Sequence, residues 1–424
     1  MKKQSITFKD IQSVFAVALL ALILLAGLLA FNWWLAGQYG AGADFLPAWN
    51  GARTFIFEDT DPYSQTVAEK TQKAVYGRAA RAGEFPYALD VPFPLLILFF
   101  PLAFVPDPTW ARAVWMTLSE FGLLLLTTFS LRLADWRPKS WFSFLLLAFS
   151  LTWFYSVAAL LNGSLSILLT LALISALITM RDFNDELAGF LLAIAAMKWE
   201  VTLLLWLFIV MGAYSAKRWR VFAGLGMTWF VLGAIGFLFY PNWIWPYLRA
   251  VTANLRANDS LRVTLALFLQ KWIPAYGARL AQAVVAVLIL IFVIEWFSAL
   301  RGKDFRRVAW VAALVLAVTP LIGFGEATTF ANLAPLVFSF VFILPFAWER
   351  WEKYPYLVIS LITFLFFVFP LFLRWPTIAS HIPVDGLTFL LPPLLTIFGL
   401  YWNRWYVIRP PRTWLDGAKR ELQK

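Results

Sequence analysis

The sequence predicts an all-α, polytopic integral membrane protein, and three observations carry that expectation. Apolar residues make up 61% of the 424-residue chain and charged residues only 14%, with a mean hydropathy of +0.73. A soluble domain of this size cannot cover so much apolar surface, so lipid must solvate most of it. Apolar runs recur along nearly the whole length. Tryptophan is abundant, and much of it falls at the ends of those runs: Trp33, Trp34, Trp136, Trp219, Trp243, Trp245, Trp348, Trp351, Trp402 and Trp405. That is the headgroup level which indole prefers. Cysteine is absent, which excludes a disulfide, a thiolate nucleophile and a Cys-ligated metal.

The first apolar run, 13–35, is too long for a cleavable signal and ends without a small-residue cleavage site, so it reads as a retained anchor. Further runs lie near 92–105, 110–131, 140–160, 165–180, 187–212, 221–240, 279–299, 308–322, 328–347, 354–373 and 386–402. With roughly 20 residues needed per crossing, about 10 to 13 spans are expected. The runs 92–105 and 165–180 are short enough to be re-entrant or tilted. The run 187–212 is interrupted by Lys198-Trp199-Glu200 and reads as a hairpin of short helices. No internal repeat is visible, and 1–424 reads as a single membrane domain.

The longest polar stretch, 36–90, follows the first helix. Asp61-Pro62 predicts a helix start with Asp61 as N-cap. Tyr63, Val67, Ala74 and Val75 then share one face, while Gln65, Glu69, Lys70, Gln72 and Lys73 lie largely elsewhere. The pattern suits a short helix lying on the bilayer surface and ended by Gly77, with a solvated connector as the alternative.

Basic residues set the orientation. The segments 1–12, 213–220, 301–307 and 403–424 hold close to half of the 35 Lys and Arg residues, and all four are cytoplasmic if both termini are. They also absorb most of the +11 net charge, so no nucleic-acid partner is implied. The loop 36–90 then faces outward, carrying Asp44, Glu58, Asp59, Asp61, Glu69, Glu84 and Asp90. The tail 403–424 is expected at the inner membrane surface or without order.

Several residues stand out chemically. Asp44 is a carboxylate just past the first span; its plain alternative is a helix-end cap or a solvated loop acid. Lys198 interrupts an apolar run, which is costly at membrane depth unless it faces a cavity or partner. Snorkelling, or a pair with Glu200, would also explain it. The loop 241–262 combines Trp243, Trp245 and Tyr247 with Arg249, Arg256 and Arg262. Aromatic faces stack on sugars and guanidinium groups clasp phosphate, so this loop is a candidate clamp, although an aromatic belt with snorkelling arginines is the better account of the three rings. Glu326, beside Gly323 and Gly325, is a possible second acidic contact. His381 is the only histidine, so neither a histidine-rich metal centre nor a Ser-His-Asp triad is expected. No phosphate-binding loop or dinucleotide fingerprint is present.

The order Ala43-Asp44-Phe45, Trp49, Ala52, Asp61-Pro62-Tyr63, Val91-Pro92-Phe93-Pro94-Leu95 and Phe100-Pro101-Leu102-Ala103 resembles the start of glycosyltransferase family 87. So do Asn162-Gly163-Ser164-Leu165-Ser166, Ala188-Gly189-Phe190, Ala195-Ala196-Met197-Lys198 and Asn258-Asp259-Ser260-Leu261. Ser164 stands where the family usually has Gln. Thr319-Pro320-Leu321-Ile322-Gly323-Phe324-Gly325-Glu326 replaces a Ser-Pro-x-Ser-Trp element with a following His.

The resemblance implies the GT-C membrane fold and transfer of mannose or a pentose from a polyprenyl-phosphate donor to an extracytoplasmic glycan or glycolipid, at the plasma membrane. It implies Asp44 as the base, with Asp59 and Asp61 as alternatives. Lys198 is implied at the donor or its lipid phosphate, and Asn162, Ser164, Asn258 and Ser260 gain weight as substrate contacts. With Asp61, Tyr63, Arg249, Arg256, Arg262 and Glu326 they complete the expected site. Such a transfer needs a base for the acceptor hydroxyl and positive charge or N–H donors at the leaving phosphate, and neither demands a metal or other cofactor. A lipid or sugar transporter or flippase, or a non-catalytic GT-C accessory subunit, is the competing expectation.

Overall fold

The computed structural model describes residues 8–39, 42, 44–81, 84–261, 265–302, 304–322, 330–351 and 386–408. Every regular element among the described residues is helical. The first helix, α1 (Phe8–Gln38), turns Leu20, Leu22, Ile23 and Leu24 outward, as a helix solvated by lipid does. Near its end Asn32 and Ala36 are buried against α6 (Pro108–Leu133). There Asn32 Nδ2 donates to Thr117 Oγ1 at 3.0 Å and to Glu120 Oε2 at 2.8 Å, which satisfies polar groups that lipid would not.

The polar stretch folds into α2 (Leu46–Glu58) and α3 (Gln65–Tyr76). As expected, α3 stops at Gly77, which adopts φ 72° and donates its N–H to Lys73 O at 3.0 Å. Its start differs from the expectation. Ser64 occupies the N-cap position, and Asp61 lies a turn earlier with Oδ1 accepting the Tyr63 N–H at 2.8 Å. The Ser64 N–H donates back to Asp61 O at 3.0 Å, so Asp61 closes a turn ahead of the helix instead of capping it. The buried face of α3 is Val67, Ala68, Thr71 and Gln72. It packs on α2, where Asn50 Nδ2 donates to Thr71 Oγ1 at 2.9 Å. Gln72, assigned to the polar side by its spacing, is held inside by Pro86 O at 2.6 Å and the Ala80 N–H at 2.9 Å.

The short run 92–105 becomes α4 (Phe93–Leu96), a 3-10 turn (Ile97–Phe99) and α5 (Phe100–Ala103), with Pro94 and Pro101 each in a first turn. It folds against α2: Trp49 Nε1 donates to Leu102 O at 3.0 Å and Arg53 Nη1 to Ala103 O at 2.8 Å. The 140–160 run is not one straight span. It splits into α7 (Ser140–Thr152) and α8 (Phe154–Asn162), bent by 51° at Trp153, whose backbone is extended. After α9 (Ser166–Arg181), the 187–212 run breaks as expected at Lys198, between α10 (Asp185–Ala195) and α11 (Trp199–Ser215). Gly189 on α10 and Gly224 on α12 (Trp219–Phe239) bring these two helices into backbone contact, with no room for a Cβ on either side.

The chain continues through α13 (Ile244–Leu261), α14 (Leu265–Trp272), α15 (Gly277–Arg301), α16 (Phe305–Ile322), a 3-10 turn (Phe330–Leu333), α17 (Leu336–Trp351), α18 (Gly386–Trp402) and α19 (Arg404–Val407). Among the described residues five helices are long and apolar enough to cross a membrane: Ala18–Gln38, Pro108–Leu133, Trp219–Phe239, Gly277–Arg301 and Phe305–Ile322. The bent α7–α8 pair adds a sixth if it crosses as a unit. Shorter apolar helices cover Phe93–Ala103, Ser166–Arg181, Thr202–Ser215, Ala331–Ala347 and Thr388–Trp402, and a count of ten or more crossings needs most of these. The run 354–373 lies outside the described residues, as do His381 and the tail beyond 408.

The largest core joins α6, α9, α10, α11, α16 and α17 around Phe208, Trp310, Phe338 and Phe342. At about 1.5 Å per residue, α6 is roughly 39 Å long and links two chemically different ends. Arg112 and Trp115 near its start meet the end of α1 and the turn after α8. Arg132 near its end meets Asp182, between α9 and α10.

Candidate active site

The turn carrying Asp44 is built by three separate parts of the chain. The Asn162 carbonyl, at the end of α8, accepts the N–H groups of Asp44 at 3.0 Å and Phe45 at 3.2 Å. Gly163 follows with φ 70°, a conformation that glycine adopts readily, and a methyl group there would stand 2.5 Å from Phe45 Cβ. Gly42 closes the turn by accepting from Phe45 and Leu46. Buried Arg112 donates through Nη2 to Tyr39 O at 2.9 Å, at the end of α1. Trp115 Nε1 donates to Gly163 O at 2.9 Å and fixes the other side.

Around the Asp44 carboxylate stand Ser164, Lys198 and Asp90. Ser164 hydrogen-bonds it and lies 3.0 Å from the Ser166 hydroxyl, which donates onward to Ala331 O at 3.2 Å. Lys198 is buried at the break between α10 and α11, with Nζ 3.6 Å from Asp90 Oδ1. It therefore pairs with a carboxylate from the far end of the polar stretch. The Glu200 side chain lies outside the described residues. Burial raises the Asp44 carboxyl from its ordinary value to about 6. The Lys198 charge pulls it down, the Asp90 charge pushes it up, and the Ser164 hydrogen bond lowers it again. Two carboxylates thus share one lysine, and Asp44 is left with the proton affinity of a group that titrates near neutrality.

A second group adjoins this one through the segment after Asp90. The Tyr63 hydroxyl donates to Val91 O at 2.8 Å. Its ring lies 6.4 Å from that of Tyr240, nearly parallel, and 6.2 Å from Tyr247, edge-on. Asp61 hydrogen-bonds Tyr240, and Arg249 is close enough to act on it electrostatically. Burial, followed by Tyr247, Asp61, Tyr240 and Asp90, holds the Tyr63 phenol well above its ordinary value. Burial and the Asp61 carboxylate push Tyr240 to about 12. Asn254 on α13 ties this helix to the same segment by donating to Ala88 O at 2.8 Å.

Of the residues singled out in the sequence, Asp44, Ser164 and Lys198 converge, and Asn162 contributes its backbone carbonyl. Asp61, Tyr63 and Arg249 gather next to them. Arg256 is exposed on α13, and Asp59 takes the left-handed cap position after α2. The side chains of Asn258 and Ser260, together with Arg262 and Glu326, lie outside the described residues. Asp90, Tyr240 and Arg112 were not singled out. The available signal for Asp90 was its place immediately before Val91-Pro92-Phe93-Pro94. Tyr240, at the end of one apolar run, and Arg112, at the start of another, carry no local mark in the sequence. Among the described residues, no three His, Cys, Asp or Glu side chains gather as a metal site requires.

The fold and this cluster define a polytopic helical membrane protein with acid–base groups gathered at one end of its bundle. The model of glycosyltransferase family 87 matches residues 92–320, more than half of the chain, and the protein belongs to that family. It is a membrane glycosyltransferase. Asn162, Ser164 and Lys198 lie inside the matched stretch, and Asp44 and Asp90 precede it. No curated protein and no solved structure matches the chain.

Proposed function

We propose that the enzyme transfers a mannose or pentose unit from a polyprenyl-phosphate sugar to a hydroxyl of an extracytoplasmic glycan or glycolipid, with Asp44 as general base. The observation that carries this reading is the convergence of Asp44, Asp90, Lys198 and Ser164 from three distant parts of the chain. Asp44 accepts the proton as the acceptor oxygen bonds to the anomeric carbon. The bond from that carbon to the phosphate oxygen breaks, and its electron pair leaves with the polyprenyl phosphate. A carboxyl group near 6 is mostly ionised at neutral pH yet more basic than an ordinary carboxylate, which suits this task. Lys198, buried and already beside one carboxylate, is the cation positioned to neutralise the departing phosphate. Single displacement on a β-linked donor gives an α-linked product.

The basic segments 213–220 and 301–307 and residue Arg404 lie at the end of the bundle remote from Asp44, joined there to Asp185 and Glu295. By the bias of Lys and Arg toward the cytoplasm, this supports an extracytoplasmic site in the plasma membrane.

The test is transfer by purified protein in nanodiscs, offered labelled polyprenyl-phosphate sugars with cell-envelope glycans and glycolipids. Wild type is expected to transfer, and Asp44→Asn to lose about 10²–10⁴-fold in rate, as removal of a general base does. Full activity in Asp44→Asn would remove it from the chemistry. Saturable lipid binding without transfer from any donor would favour a flippase or accessory subunit.

A further inference from the structure

The tyrosine group beside the acid–lysine cluster is not needed for proton transfer or for phosphate neutralisation. Its composition nevertheless points to a ligand class. Three aromatic rings from three elements converge: Tyr63 from the turn before α3, Tyr240 at the end of α12, and Tyr247 on α13. The Asp61 carboxylate stands at their edge, bonded to Tyr240 and to the Tyr63 N–H. Neither Tyr63, Tyr240 nor Tyr247 is fully buried, so the group is partly open. Saccharides are recognised in this way: C–H faces rest on aromatic rings, and ring hydroxyls are held by carboxylates that accept their hydrogen bonds.

An independent observation lies around the rim of the group. Ser64 Oγ, Trp243 Nε1 and Asn254 Oδ1 are buried without a hydrogen-bond partner among the described residues. Asn254 is itself only 4% exposed. It lies two helical turns from Tyr247 on the same face of α13, and the Trp243 ring is 5.9 Å from that of Tyr247. Buried polar atoms are costly when unsatisfied, and this set contains a donor, an acceptor and a hydroxyl that can be either. A polyol can answer the hydroxyl and the acceptor, whereas Trp243 Nε1 packs against Gly236 beside Pro94. A phosphate cannot, because it has nothing to donate to Asn254 Oδ1 or Asp61 when ionised.

We propose that Tyr63, Tyr240 and Tyr247, with the Asp61 carboxylate, form a binding subsite for the saccharide ring of the acceptor. The inference rests on the transferase reading above and names the acceptor's chemistry: a sugar hydroxyl carried on a ring that stacks on tyrosine. Val91 O receives the Tyr63 hydroxyl, so the subsite is one residue from Asp90. An acceptor ring seated there has its reacting hydroxyl next to the acid pair.

Initial rates measured over acceptor and donor concentration in nanodiscs test this assignment. Tyr240→Leu and Asp61→Asn are each expected to raise the acceptor KM by about tenfold, the scale of a lost aromatic contact or sugar hydrogen bond, with the donor KM unchanged. Tyr240→Phe keeps the ring and is expected to raise it less. An unchanged acceptor KM in both variants, or a rise confined to the donor KM, would overturn the assignment. A direct arm uses methyl α-mannoside and methyl α-arabinofuranoside as probes in saturation-transfer NMR. Binding by wild type that is lost in Tyr240→Leu supports the subsite even if no donor is turned over, so its failure is separable from that of the transferase reading. Binding of neither probe by wild type would count against it.

Discussion

The two ends of α6 use the same residue types in opposite ways. At the Arg132 end Asp135, Asp182, Asp185 and Glu295 each meet a guanidinium. Arg132 pairs with Asp182 at 2.6 Å, Arg181 with Asp135 at 2.8 Å and Arg218 with Asp185 at 3.3 Å, while Glu295 lies between Arg307 at 3.4 Å and Arg404 at 2.8 Å. At the Arg112 end, Asp44 and Asp90 share Lys198, which stands 3.6 Å from Asp90. Matched charges at the Arg132 end hold helix ends together. At the Arg112 end burial raises Asp44 to about 6; the Lys198 charge lowers it and the Asp90 charge opposes that lowering. One end is therefore a fastening, and the other holds the carboxylate proposed as the base.

Removing one charge at each end should separate these roles. The largest expected effect is that of Lys198→Ala, which takes the one lysine from the acid pair. Transfer should fall by about 100-fold or more, as expected for loss of a charge at a departing phosphate. The acid limb of the pH–rate profile should also move upward, because the Lys198 charge lowers the Asp44 carboxyl. Lys198→Arg should recover part of the rate. If Lys198→Ala is as active as wild type, the lysine is only a structural partner of Asp90. A smaller effect of a different kind is expected from Glu295→Gln. Leaving Arg307 and Arg404 short of an anion costs about 1–3 kcal/mol, reduced by their partial exposure. Thermal unfolding followed by tryptophan fluorescence should shift downward while kcat of the folded protein is unchanged. A fall in kcat at equal folded fraction would show that the two ends are coupled.

How much of this was legible in the sequence depended on whether the signal was local. Asp44 could be read from its place after a single long apolar run. Lys198 stood out because a charge inside such a run is costly, and the helix does break there. Gly77 marked the end of α3 because a left-handed cap favours glycine. The bend at Trp153 had no such mark: no proline or glycine sits there, and the buried position of its indole appears only in the fold. Asp90 was one acid among several in the polar stretch, and only folding brings it to Lys198, more than a hundred residues away. Asn162 was chosen for its side chain, whereas its contribution is a backbone carbonyl that any residue there would offer. Asp61-Pro62 misled because the same pair also suits a turn, and here the turn closes at Ser64, before the helix starts.

The pH dependence of transfer, compared between wild type and Asp90→Asn, probes the unbalanced acid pair itself. Asp44 must be ionised to accept a proton, so the rate should fall as pH drops through about 6 in wild type. In Asp90→Asn the neighbouring negative charge is gone and Lys198 acts on Asp44 alone, so the limb should move to lower pH. A wild-type limb at the ordinary carboxylate value near 4, or one that stays in place in Asp90→Asn, would contradict the acid-pair assignment.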